Sequence, residues 1–500
     1  MAEAQKVAST APAAAAPAPA PVVEMSLLDQ IVEQGRFTDT TTRERGKNLI
    51  KEFVAQVLEG SMTLARDADQ MITARVAQID HLISIQLNEI LHNPQFQKLE
   101  GTWRGLKYLL DQSETGTQLK IRILNASKKE LLRDLQRAPE FDQSAMFKKV
   151  YEDEYGIFGG EPFGALVGDY EFSKHPEDLE LLEKVSQVAA AAHAPFLSAA
   201  SSELLNMPSY TSLDQPRDIG KIFDSTEYAK WKGFRESEDS KYVCLTCPRV
   251  LMRLPYGRET KPVEGFNYEE GVDGTDHSRY LWGNAAYALA ARMTQAFANY
   301  SWCVAIRGVE GGGLVEGLPS HTFRTDEGDV ALKCPTEIAI TDRREKELAD
   351  QGLVPLVHCK GTDKAAFFSI QSCNKPKLYD SDAATANARI SAQLPYMMAT
   401  CRFAHYLKAM MRDKIGGFMS RDDCWRFLNR WIGQYVTQDD KATQTIKAKF
   451  PLREARVDVE EVKGKPGVYR AIAYLRPHFQ LDELNVSLRL VAELPAAAKQ

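Results

Sequence analysis

Eleven residues near the end of the chain leave little choice of structure. Leu484, Val486, Leu488, Leu490, Ala492 and Leu494 alternate with Asn485, Ser487, Arg489, Val491 and Glu493. Period-two alternation of this kind puts the two sets on opposite faces of a β-strand. At about 3.3 Å per residue such a strand reaches ~36 Å, longer than most. It must be paired, within its own sheet or with another chain. Upstream, residues 456–462 and 468–475 flank Gly464-Lys-Pro-Gly467, a strong turn signal that predicts a hairpin. The alternation alone leaves open an ordinary last strand and a strand exchanged between subunits.

The rest of the chain has a different texture. Residues 42–58 and 64–92 read as helices, the second with Ile72, Val76, Ile79, Leu82, Ile83 and Ile90 on a broad apolar face, and 103–110 continues the helical character. From 119 onward, strand-like segments (120–124, 163–167, 196–198, 338–340, 354–358, 367–370) alternate with helical ones (128–136, 177–192, 280–300, 342–350). The stretch 243–254 reads as buried apolar sequence, and 383–411 as helix interrupted near Pro395. Ser420 and Asp423 form a capping-box pair that opens a helix to about residue 435. The expected fold is mixed α/β (α+β), with long N-terminal helices and C-terminal antiparallel strands. No repeat of 20–50 residues is present.

The expected organisation is an Ala/Pro-rich tether (1–24), a short amphipathic helix (25–36), an N-terminal helical region (37–118), an α/β body (119–380), and C-terminal helices and strands (381–500). Residues 11–21 contain only Ala and Pro. That run is no secretory signal, which needs a Leu/Val-rich core after a cationic start. Next, Ser26 with Asp29 and then Gly35 bracket a stripe of Leu27, Leu28, Ile31 and Val32. A helix of about nine residues is too short to be stable alone, so it either docks on its own domain or is offered as a recognition peptide.

Composition narrows the function classes. Five hundred residues exceed what one core usually supports. With 62 Lys plus Arg against 68 Asp plus Glu, the net charge of −6 argues against nucleic-acid binding through phosphate neutralisation. No apolar run approaches the ~18 residues of a membrane span, so no membrane insertion is expected. Without an export signal, the eight scattered cysteines point to a reducing compartment, and the expected location is cytoplasmic.

Candidate chemistry is sparse. Cys244-Leu-Thr-Cys247 has no second pair or nearby His to complete a zinc set, and an apolar run follows it where a redox motif needs an exposed helix start; two buried thiols are the better reading. Gly311-Gly-Gly313 has no following Lys-Ser/Thr and is flanked by Glu310 and Glu316, which favours a tight chain reversal over a phosphate loop. His358 and Cys359 are adjacent on a strand and so point to opposite faces. No catalytic, cofactor or metal residues are expected. Arg402, His405 and Arg412, with Lys408 and Lys414 nearby, fall on one helical face that is either solvated or meets an acidic or polar partner.

Several long segments together carry a resemblance. They are Phe163-Gly-Ala-Leu-Val-Gly-Asp-Tyr170, Arg253-Leu-Pro-Tyr-Gly257, Glu264-Gly-Phe-Asn-Tyr268, His277-Ser-Arg-Tyr-Leu-Trp-Gly-Asn284, Gly311-Gly-Gly313 with Leu318-Pro-Ser-His321, and Cys334-Pro-Thr-Glu337. In these the chain resembles the large subunit of the contractile sheath of bacterial type VI secretion systems, from about Ser26 to Leu494. The resemblance implies a phage-tail-sheath-like core and structural work rather than catalysis. Its implied partners are a small sheath subunit, further copies of the chain in a helical lattice, an inner tube of hexameric rings, a baseplate, and an AAA+ ATPase that disassembles contracted sheath. It implies that the ATPase grips the helix bearing Leu27, Leu28, Ile31 and Val32. It also implies that strands near the C-terminus, with Leu484, Val486, Leu488, Leu490 and Leu494 among them, join subunits. The Arg402, His405 and Arg412 face becomes a candidate contact to the inner tube. Two alternatives from other classes are a cytosolic α/β enzyme with an unrecognised site and a static baseplate scaffold.

Overall fold

In the computed structural model the described residues are 40–58 and 68–480, apart from 216–217, 326, 418, 440, 464–467 and 479. The expected helix at 26–35, the turn at 464–467 and the strand at 484–494 lie outside them. The chain divides into two compact units, Met1–Leu82 and Ile83–Gln500. The first contains helix α1 (Thr40–Leu58) and the start of α2 (Ala68–Leu91). Along α2 the stripe read from the sequence is real, and Ile72, Val76, Ile79, Leu82, Ile83 and Ile90 are all exposed.

The body of the second unit is built on a six-stranded sheet. Its strands are β1 (Leu166–Phe172), β2 (Phe196–Ala200), β3 (Val243–Cys247), β4 (Leu314–Val315), β5 (Leu353–His358) and β6 (Ala365–Phe367). Their spatial order is β1-β2-β3-β5-β6-β4. The first four in that order run parallel, and β6 is antiparallel to both its neighbours. Helices cover both faces, as a parallel sheet requires. The strand residues sort by parity: Phe196, Val243, Leu245, Cys247, Leu353 and Val357 enter one core, and Leu197, Cys244, Val354 and Leu356 the other. Helices α4 (Lys128–Arg137) and α5 (Pro176–Ala192) fill the first core. The Ala-rich α6 (Ala286–Tyr300) and Leu109 of α3 (Pro94–Asp111) fill the second. At Gly105 the two helices meet so closely that a Cβ would lie 2.4 Å from the Tyr287 ring.

Four further helices matter here: α7 (Asp342–Asp350), α8 (Asp382–Ser391), α9 (Leu394–Asp413) and α10 (Arg421–Ile432). The break between α8 and α9 falls where Pro395 takes the first turn of a new helix. Ser420 and Asp423 form the expected capping box. A third core joins α9 and α10 to an antiparallel hairpin, β7 (Leu452–Glu461) and β8 (Tyr469–Pro477), which extends beyond the expected strands at the end away from the turn.

Five expectations need correction. Residues 120–124 form no strand: Arg122 is paired with Glu154 and Glu161, Lys120 with Glu161, and Ile123 and Leu124 stay exposed with no ladder beside them among the described residues. The strand expected at 163–167 begins only at Leu166 and runs on through Asp169 and Glu171. The helix expected from 280 starts at Ala286, because Trp282–Gly283 pairs with Val250–Leu251 and Asn284 Oδ1 accepts the Ala286 N–H at 2.8 Å. Residues 338–340 are buried in part but unpaired, and the strand read at 367–370 is Ala365–Phe367.

Candidate functional site

Several of the motif segments quoted above meet in two buried ionic clusters. Arg253 donates to both oxygens of Glu270, at 2.5 and 2.9 Å, and through Nε to Glu100 Oε1 at 2.8 Å. Glu270 also accepts the Tyr256 N–H at 2.8 Å, and His92 Nε2 lies 3.2 Å from it. Burial works against the Arg253 cation, but the two carboxylates outweigh it and raise its pKa. This cluster ties α3 to the loop after β3. In the second cluster Arg249 holds Glu337 by two bonds of 2.8 Å, and His277 Nε2 stands 3.2 Å from the same carboxylate. Burial pushes the Glu337 carboxyl up, yet Arg249 and His277 hold it at about 2. Asn284 adds a third link, its amide donating to the carbonyls of Gly168 and Tyr170 at 3.3 Å. Apart from Glu100 Oε2 and His277 Nε2, which are buried without a hydrogen-bond partner, these groups are committed to one another, which suits joints between segments.

The sequence shows none of these pairings. Arg253 lies 153 residues from Glu100, and Arg249 lies 88 from Glu337. No local spacing encodes partners so far apart. The only signal was that Arg253, His277 and Glu337 sit inside the motif segments; their partners Glu100, Glu270 and Arg249 lie outside them.

The motifs weighed for chemistry take ordinary structural places. Cys244 and Cys247 are both buried on β3, and burial pushes the Cys247 thiol up to about 12. The glycine segment is a tight reversal: Gly312 has φ +92°, Gly313 N–H bonds Gly308 O at 2.8 Å, and a Cβ on Gly313 would stand 2.6 Å from Phe367 O. Among the described residues no group of three or more His, Cys, Asp or Glu could hold a metal ion, and no helix is long and apolar enough to cross a membrane.

The face read on α9 does not exist as one surface. His405 is 3% exposed and packs inward, its Nε2 2.9 Å from Ala192 O and its ring 5.0 Å from that of Tyr155. Arg412 donates through Nη1 to the carbonyl of Ile157 at 2.7 Å and of Tyr155 at 3.4 Å, at the end of a π-helical turn (Lys148–Gly156). Arg402 lies over the Tyr406 ring at 4.7 Å. Helical periodicity finds such positions but not whether the body packs against them, and here the three side chains do not share one exposed face.

The hairpin β7–β8 is the feature most suited to assembly. It is a separate two-stranded sheet. Its β7 side is held to the body by Asn429 of α10, which donates to Val457 O at 2.7 Å and accepts from Val457 N at 2.9 Å. Thr437 N–H also bonds Leu452 O at 2.9 Å. Sequence analysis did not single out Asn429, since nothing local marks an amide that pairs with a strand 28 residues away.

Comparison with known proteins agrees with a structural role. Residues 73–374 match the EvpB/VC_A0108 tail sheath N-terminal domain, and residues 383–494 the tail sheath gpW/gp25-like domain of the same family. The chain is 53% identical over 458 residues to the type VI secretion system sheath protein TssC1 of Pseudomonas aeruginosa, covering 91% of this chain and 92% of that one. Among solved structures, the anti-feeding prophage baseplate aligns with a TM-score of 0.34 at 10% identity, over 63% of this chain and 66% of that one. The contracted helical sheath of the same particle aligns with a TM-score of 0.27 at 11% identity, over 75% and 99%. With family domains matched over the body and the C-terminal hairpin alike, the chain belongs to the VipB (EvpB) family of type VI secretion tail sheath proteins.

Proposed function

We propose that the chain is the large subunit of a contractile sheath that assembles with a small sheath subunit into a helical tube around an inner tube of hexameric rings. Contraction of the lattice drives that tube outward from the cytoplasm, through a baseplate, for protein delivery. An AAA+ ATPase then takes contracted sheath apart for reuse, gripping the stripe of Leu27, Leu28, Ile31 and Val32. The observation that carries the reading is the pair of family domains covering residues 73–374 and 383–494. The hairpin β7–β8 and the exposed stripe on α2 support it, since both leave pairing or apolar surface for neighbours. Negative-stain electron microscopy of the chain co-expressed with the small subunit tests it. Long hollow tubes are expected; discrete particles alone, with both chains soluble, would overturn the reading in favour of an enzyme or a static scaffold.

A further inference from the structure

Residues 119–127 have the sequence of a strand and none of its bonds. They run without helix, turn or bend up to Ser127, whose capping box opens α4. Among the described residues, the main-chain N–H and C=O groups of 120–125 bond to nothing. The segment follows β1, which ends the six-stranded sheet on that side. Its contacts advance in step with that strand: Lys120 and Arg122 meet Glu161, Ala126 O accepts from the Tyr170 hydroxyl at 2.6 Å, and Lys128 Nζ donates to Glu171 O at 2.7 Å. All of these links run through side chains. The segment is therefore held in place beside a sheet edge with its own main chain unpaired.

An open edge of this kind is a template for another strand, and proteins commonly guard one with charged side chains. Here both candidates are drawn off: Lys120 pairs with Glu161, and Arg122 with Glu154 and Glu161. The side chains also describe the occupant. Successive residues face opposite ways, so Leu119, Ile121 and Ile123 share one side and Lys120, Arg122 and Leu124 the other. Ile121 packs against the second core, but Ile123 is 66% exposed and Leu124 53%. A strand that covers them must be aliphatic on both of its faces. This chain's own segment 484–494 does not fit, because Asn485, Ser487, Arg489 and Glu493 would fall against one of the two aliphatics in either orientation. Pairing with the same segment of a second copy would be two-fold and closed, bringing the Arg122 side chains together, whereas a helical lattice needs open-ended contacts.

We infer that residues 120–125 are the docking edge for a β-strand of the small sheath subunit, one that carries aliphatic residues on both faces and is added by main-chain pairing. This rests on the sheath reading above and names the surface through which its two subunits join. The ordering cost on this side is already met, since the ion pairs hold the segment extended before anything binds.

The test is hydrogen exchange of the full-length chain in its one-to-one complex with the small subunit, before and after tube growth. In the free heterodimer the amides of 120–125 should already exchange at least about a hundredfold more slowly than in the urea-unfolded chain. Protection that appears only in tubes would give the edge to another copy and overturn the assignment, as would free exchange throughout. Two variants then identify the source of protection. Ile123→Pro and Leu124→Pro each remove one N–H, on opposite borders of the segment, and neither N–H is bonded within the chain. The thermal unfolding of the body should be unchanged, while at least one variant should weaken binding of the small subunit about tenfold or more. Wild-type affinity for both would show that the protection comes from the chain itself, and the pairing would be wrong. A heterodimer that grows tubes with 120–125 exchanging freely would remove this pairing and leave the sheath reading standing. If no complex with the small subunit formed, both would fall.

Discussion

A neutral imidazole is what the surroundings of His405 demand. The ring is buried, its Nε2 faces a carbonyl, its Nδ1 has no partner, and Arg402, His193 and Lys408 all act against a second proton. Burial is the largest cause, and together they hold the pKa at about 4. An unfolded histidine titrates near 6.5, so between pH 6.5 and 4 the unfolded chain binds the extra proton and the folded chain does not. Stability is therefore complete above pH 6.5 and falls as the solution is acidified toward 4. From pH 7 to 5 the loss from this residue should be about 2 kcal/mol. His405→Gln should flatten that part of the profile by a similar amount, measured as the urea midpoint at each pH. An unchanged slope would show that the ring is not kept neutral by its site. The same residue shows where sequence stops being informative. Its position on α9 was readable; its direction was set by α5 and the π-helical turn, which lie more than 200 residues away in the chain.

At the scale of elements, what was legible follows from local chemistry. The α7 boundaries, the capping box at Ser420 and Asp423, the break before Pro395, and the hairpin all depend on residues within a few positions of one another. What was not legible depends on partners. Residues 120–124 have strand-like sequence but no neighbour to pair with, and β1 is a strand despite Asp169 and Glu171 because β2 lies alongside it. The helix expected at residues 26–35, outside the described residues, is a reading of the same local kind, and its proposed role can be tested by one substitution. Leu28→Asp puts a charge in the middle of the apolar stripe. Tubes should still form, whereas ATPase-driven disassembly, followed by light scattering, should fall at least tenfold, since a charge forced into an apolar groove costs ~2 kcal/mol or more. Disassembly at the normal rate would remove the stripe from the recognition surface.

For the whole molecule, a contraction engine without nucleotide chemistry must store its energy when it assembles. If the contracted lattice buried a further ~200 Å² of apolar surface per subunit, that would release up to about 5 kcal/mol before ordering costs. Such a machine must stay connected while its rigid bodies turn, and main-chain pairing provides connection without fixing angles. Deleting residues 484–500 should accordingly leave the heterodimer soluble but stop tube growth; tubes of normal length from the truncated chain would exclude this segment as a connector. The hairpin constrains how any such connection is made. Asn429 imitates a single residue of a neighbouring strand against Val457, and Thr437 does the same for Leu452. Two positions of the β7 border are thereby taken up from within, while among the described residues β8 pairs with β7 alone. A strand added along β8 would therefore meet open main-chain groups, whereas Val457 and Leu452 of β7 already have partners within the chain. A module that accepts on one side only imposes a direction on the links it makes, so a chain of such links has a head and a tail.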